Sequence, residues 1–262
     1  MLLSVLENVI AGQIYTFILL FVRIGAALML MPTIGDSFVP MNIRLMFALS
    51  LSVIMTPILQ PHIPTIDEIG AHFLLLILME GVIGIFIGSV AKILMSALDV
   101  AGMLISMQIG LANAQVFNPS MAAQGSLVGA FLSVVGVVLL FATNLHHLLI
   151  LAIYDSYVAF PPGALPETGG MAHMIASTLS KSFAIGFKLS VPFIVVALMV
   201  YIGMGVLARV MPQIQVFILA LPIQIMLGLM ILLLVSSSLF LVWLQFFEDG
   251  MIFFLQSTGG GG

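Results

Sequence analysis

Six long apolar runs dominate the chain, and short polar breaks separate them. A helix that crosses a hydrocarbon core needs about 20 mostly apolar residues. Against that length the pattern predicts spans near 9–32, 43–60, 71–97, 127–153, 183–208 and 211–244. The second is short and the last is long. Pro222 lies inside the last, where a residue that lacks an N–H and clashes with the preceding turn predicts a kink. No internal repeat or low-complexity linker divides the series, so the pattern predicts a single all-α domain over 1–258. The closing "STGGGG" has no core-forming residue, and 259–262 read as a cloning remnant.

One stretch breaks the pattern. "QIGLANAQVFNPSMAAQGS", Gln108 to Ser126, is uncharged yet rich in Gln, Asn and Ser. The preceding "DVAGMLISMQIGLANA" keeps helical spacing, with Val100, Leu104 and Met107 on one face. Pro119 then removes a donor and pushes Asn118 toward extended geometry. Irregular backbone at membrane depth is tolerated only where protein buries it or water lines it. Two readings follow, a solvated connecting loop or a re-entrant loop that plugs or lines a pore. A solvated loop would more often carry charge, and none occurs between Asp99 and Asp155. That favours the pore reading.

Composition makes lipid the solvent. Hydrophobic residues fill 62% of 262 positions and charged residues 6%, against roughly a quarter charged in a soluble domain. The N-terminal "MLLSVLENVIAGQ" lacks a basic region and a small-residue cleavage site, and reads as the lead-in to a retained span. There are no cysteines, which excludes disulfides, thiolate metal sites and Cys nucleophiles. A net charge of -4, spread thinly, gives nucleic acid no surface to bind. In a six-span layout one set of ends carries Arg44, Lys92 and Arg209. The opposite set carries Asp67, Glu68, Asp155, Glu167, Glu248 and Asp249, with Lys181 the nearby cation. The positive-inside rule places the first set in the cytoplasm and both termini outside, provided that 98–126 does not cross.

Arg23, Glu80, Lys92 and Lys188 sit within spans or at their margins. Charges there are costly and face protein or a water-filled cavity. They could form an ion or proton pathway, or they could pair between helices and subunits while Lys92 and Lys188 snorkel to an interface. No relay is evident, which favours pairing. Glu80, Gly84, Gly88 and Lys92 recur every four residues, a stripe winding along one helix. Gly84 and Gly88 form a GxxxG that admits another backbone. Glu80 and Lys92 lie too far apart along the axis to pair with each other, so their partners are expected elsewhere, other chains included. His146 and His147 are adjacent and point about 100° apart, unlike an i, i+4 metal pair. With His62, His72 and His173 near span ends, no metal or cofactor is expected. The 19 methionines read as adaptable filling between helices or as a deformable seal around a pore. No nucleophile-and-base constellation supports an enzyme. A self-contained transporter or ion channel using Glu80 and Lys188 is the alternative, though inverted repeats with matching broken helices are lacking.

Three stretches together resemble a known family: "RIGAALMLMPTIGDSFVPMNIRLMFALSLSVIMTP", "FNPSMAAQGSLVGAF" with "NLHHLLILAIYDSY", and "LARVMPQIQVFILALPIQIMLGL". They are similar to the FliR family of type III secretion export-gate subunits, flagellar and injectisome, from about residue 20 to 245. The run "ARVMPQIQVFILALPIQI" is the most specific. The resemblance implies an all-α membrane-associated protein with a FliP-like part over 1–180 and a FliQ-like helical hairpin over 181–250. It implies one copy with five FliP and four FliQ, FlhB attached, in the bacterial inner membrane at the flagellar basal body. Unfolded flagellar subunits would be the cargo, and much of the assembly would stand above the bilayer. The mid-chain loop would plug the channel, with Phe117 and Met121 filling the lumen. Gln115, Asn118 and Gln124 would hydrogen-bond loop backbone, between Gln108 and the turn at Pro119. Glu80, Gly84, Gly88 and Lys92, with Arg209, Pro212, Gln213 and Pro222 of the C-terminal third, would serve helix packing and assembly. The family often has Asp-Pro where this chain has Asn118-Pro119, so a role that needs negative charge there is not carried over.

Overall fold

A computed structural model describes residues 2–35, 39–63, 71–111, 126–163, 168–211 and 216–256. Among the described residues the helices are, in chain order, α1 (Leu2–Leu30), α2 (Met41–Leu59), α3 (Ala71–Gln108), α4 (Leu127–Ala142), α5 (Leu145–Ala159), α6 (Thr168–Val210) and α7 (Val216–Gln256). A 3-10 turn, Gln60–His62, extends α2. There is no strand among the described residues. The helices form because backbone polar groups in lipid must be satisfied within the segment.

The breaks have local causes. Pro40 precedes α2, with φ fixed at -55°. Arg44 ties down the turn before it, donating from Nε to the Val39 carbonyl at 2.8 Å and from Nη1 to the Gly35 carbonyl at 2.9 Å. Ser126 caps α4: its Oγ accepts the Gly129 N–H at 3.0 Å and donates to the Gly102 carbonyl at 2.9 Å. Between α4 and α5, Asn144 adopts a left-handed φ of 60°, a conformation Asn tolerates better than most residues. The expected single span 127–153 is therefore a broken helix pair.

Among the described residues five helices are long and apolar enough to cross a membrane, or six if the α4–α5 pair counts as one span. The expected spans undershoot the longest helices: α3 has 38 residues, α6 has 43 and α7 has 41. At 1.5 Å per residue these run for about 57–65 Å, roughly twice a 30 Å hydrocarbon core. A helix of that length extends beyond the core or lies steeply tilted. Pro192 and Pro222 fall inside α6 and α7 without ending them.

The chain forms two compact units. The first holds Met1–Ile93, Thr143–Thr178 and Phe247–Gly262, the second Leu94–Ala142 and Leu179–Phe246. In the first, Leu19, Leu20, Ile24, Ala27 and Leu28 of α1 are fully buried, as are Ile87, Val90 and Ala91 of α3 and Ala152 and Ile153 of α5. In the second, Leu98, Ala101, Ile105, Leu132, Leu140 and Trp243 make the core.

Candidate functional site

The most polar feature of the first unit lies in its interior. Arg23 on α1 is 0% exposed and Glu80 on α3 is 1% exposed. An unpaired charge at such depth would cost several kcal/mol, and here it is fully paired. A guanidinium carries five N–H donors, and Arg23 makes five hydrogen bonds. Its Nε donates to Glu80 Oε2 at 2.5 Å and its Nη2 to Glu80 Oε1 at 2.9 Å, a bidentate fork. Nη1 donates to the Ser156 carbonyl at 3.0 Å and to Ser156 Oγ at 3.3 Å, and Nη2 also to the Phe160 carbonyl at 2.9 Å. The Arg23 Cζ stands 4.0 Å from the centroid of the Tyr157 ring, a cation–π contact. Tyr157 is itself buried, and its hydroxyl has no partner among the described residues.

Glycine lets α1 and α3 come close enough to make this fork. A Cβ on Gly84 would collide with the Arg23 carbonyl and the Ala26 side chain. One on Gly88 would meet the Ala27 carbonyl and the Leu30 side chain. The GxxxG admits a backbone as its spacing predicts, and that backbone is α1 of the same chain. Of the partners expected for Glu80 away from Lys92, on other helices or other chains, the one found is on a neighbouring helix of the same chain, since Arg23 occupies both of its oxygens. The reason is depth: both charges sit in apolar spans, where each is the other's cheapest neutralisation.

A second frame, within the other unit, surrounds the two ends of the mid-chain segment. Gly102 of α3 lies against the backbone of Gly129 of α4, with no room for a side chain. Gly186 of α6 is packed on Ala97 and Val100, and Gly228 of α7 on Ile109. Gln224 on α7 is buried, and its Nε2 donates to the Gln108 carbonyl at 2.6 Å and to the Tyr201 hydroxyl at 3.3 Å. Just beyond, Gly110 turns the chain out of α3 with φ 83°. Trp243 Nε1 donates to the Leu94 carbonyl at 3.3 Å. The helical spacing read over Val100, Leu104 and Met107 holds to Gln108, but Met107 on that face is exposed, and Ala101 and Ile105 point inward instead.

The other expected site residues fall as follows. Lys92, Lys188, Arg209 and Pro222 are exposed on their helices, and Gln108 is half-buried. Gln115, Phe117, Asn118, Pro119, Met121, Gln124, Pro212 and Gln213 lie outside the described residues. The His146 and His147 rings lie 4.1 Å apart between centroids, tilted by 37°, and no group that could hold a metal ion occurs among the described residues. Sequence reasoning missed Ser156, Tyr157, Gln224 and Gly102. It singled out Arg23 and Glu80 without joining them, although their opposite charges in separate apolar spans, beside a GxxxG, carried the signal.

Residues 14–250 match the family described as bacterial export proteins, family 1. The chain belongs to that family. Members of the export family with characterised names resemble it along nearly their whole length. The flagellar biosynthetic protein FliR of Caulobacter vibrioides is 39% identical, over 91% of this chain and 95% of its own. The Bacillus subtilis protein of the same name is 32% identical, over 90% and 91%. Yop proteins translocation protein T of Yersinia pestis is 27% identical, over 84% and 85%. The family resemblance carried by the three sequence motifs is borne out by these matches.

Proposed function

We propose that this export-family member is a non-enzymatic, channel-forming subunit of a type III secretion export gate in the bacterial inner membrane, on the flagellar branch. The observation that carries the reading is the 39% identity to a flagellar biosynthetic protein across nearly the full length of both chains. The surface of the helices supports it. Only 17% of the most apolar windows of α6 and of α7 is buried, against 44% in α3. Faces that apolar and that open need lipid or partner helices. The proposed partners are FliP and FliQ, in a 5:4:1 FliP:FliQ:FliR-type assembly, with FlhB attached and unfolded flagellar subunits as cargo. The FliP-like 1–180 and FliQ-like 181–250 parts, and the assembly roles of Lys92, Arg209, Pro212, Gln213 and Pro222, belong to the same proposal.

The mid-chain segment is the proposed stopper of the closed channel. Small, uncharged residues neither bind passing ions nor trap charged cargo, and Ser126 and Gln108 anchor its flanks. Deleting 115–124 tests this in the assembled gate: ion conductance should rise, and an unchanged conductance overturns the stopper role. Co-purification tests the assembly. The chain should be recovered with two other hydrophobic subunits in fixed proportion, whereas stable, active protein obtained alone would favour a self-contained transporter. Glu80 gives that alternative no support, since Arg23 holds both carboxylate oxygens.

A further inference from the structure

Three cations lie in one register on α6. Lys181 and Lys188 are seven residues apart, and Arg209 follows twenty-one later. Val195 and Ile202 fill the two steps between, and all five positions are exposed. The residue three places after each of the first four is exposed as well, Gly205 being the last of them. Positions spaced by seven, with a second set three residues on, make the seam along which one helix follows another in a shallow left-handed crossing. This seam runs for about 42 Å. Its opposite side is the one this chain uses itself, where Leu189, Phe193, Ala197 and Met204 are buried.

Charge and shape say what the seam takes. Helix α6 has no Asp or Glu, and Lys181, Lys188 and Arg209 make no ion pair or hydrogen bond among the described residues. Lys188 lies five residues inside the apolar run 183–208, where an ammonium is costly without a counter-charge. A Cβ on Gly205 would meet nothing within 4 Å, so the packing of this chain does not ask for a glycine there. Glycine weakens a helix, and on an open membrane seam it lets a foreign backbone come close. Snorkelling to lipid headgroups would set no direction around the helix, since a lysine stem reaches the interface from any side. Here the three cations and the glycine share one side.

We infer that this seam docks one membrane helix of a partner chain, apolar along its middle and carrying a carboxylate opposite Lys181 and another opposite Lys188, about 10 Å apart. The inference rests on the assembly reading above and adds the face and the charge that the partner must meet.

The test uses the full chain in its native membrane complex. Dicyclohexylcarbodiimide, a lipid-soluble reagent that activates carboxyl groups, should join the Lys188 amine to an Asp or Glu of a partner as an amide. Lys181 should join a second carboxylate two turns away on the same partner helix, and mass spectrometry of the digest locates both. Lys188→Glu and Gly205→Leu should leave the level of the chain in the membrane unchanged and cut recovery of the assembled complex by about tenfold, whereas Lys188→Arg should assemble as wild type. Should Lys188→Glu lower the membrane level too, replacing the cross-linked carboxylate by lysine must restore assembly, and failure to do so overturns the seam. A complex without either cross-link would overturn it as well. So would normal assembly of Lys188→Glu with loss of bound anionic phospholipid, which would assign the cations to headgroups. These outcomes all concern a chain found with partners; wild-type chain recovered alone would overturn the export-gate assembly, and the seam with it.

Discussion

Removing one member of the Arg23–Glu80 pair leaves the other charge buried and unmatched. Glu80→Ala should destabilise the folded chain by about 3–5 kcal/mol, read as a fall in its thermal midpoint in detergent and in its steady-state level in membranes. Glu80→Gln keeps an acceptor oxygen but loses the charge, and its loss should be smaller. Gln224 is a neutral counterpart. Gln224→Leu strips the Gln108 carbonyl of its side-chain donor and should cost about 1–3 kcal/mol, with faster exchange at the end of α3. The residue types at these positions were visible in the sequence, since a charge or an amide in an apolar run stands out. Their partners were not. Arg23 and Ser156 are 133 residues apart, and no periodicity links positions on different helices.

At the scale of elements, close helix approach depends on glycine at a few crossings. Gly84→Leu and Gly88→Leu would drive a side chain into the α1 backbone. Each should reduce recovery of assembled complex strongly, and blue-native electrophoresis showing normal assembly would overturn the close-approach argument. Gly102→Val faces the Gly129 backbone in the same way, and should lower stability by at least the 1–3 kcal/mol, roughly, of an overpacked core. Helix existence was legible from apolar runs, and so was the helical stretch before Gln108. Helix length was not. Hydropathy marks the stretch that suits lipid, whereas α6 and α7 continue through polar residues such as Lys181 and Glu248 because nothing there ends a helix. The Asn144 break was equally hidden, as Thr143 and Asn144 interrupt an apolar run without a proline or glycine to mark the turn.

At the scale of the whole molecule, the five described helices long and apolar enough to cross a membrane, with wide apolar faces on α6 and α7, give a protein that water cannot solvate. It should pellet with membranes, resist carbonate extraction and dissolve only in detergent; recovery in the soluble fraction would contradict the fold's exposed surface. Sequence by itself determined the solvent, the helical class and the family, because composition, span length and the "ARVMPQIQVFILALPIQI" motif are local properties of the chain. Tertiary structure alone decided that Arg23 meets Glu80, Ser156 and Phe160, and that Gly84 and Gly88 receive α1. Each is a meeting of positions far apart in the chain, fixed by the need to pair every charge and carbonyl that lipid will not solvate.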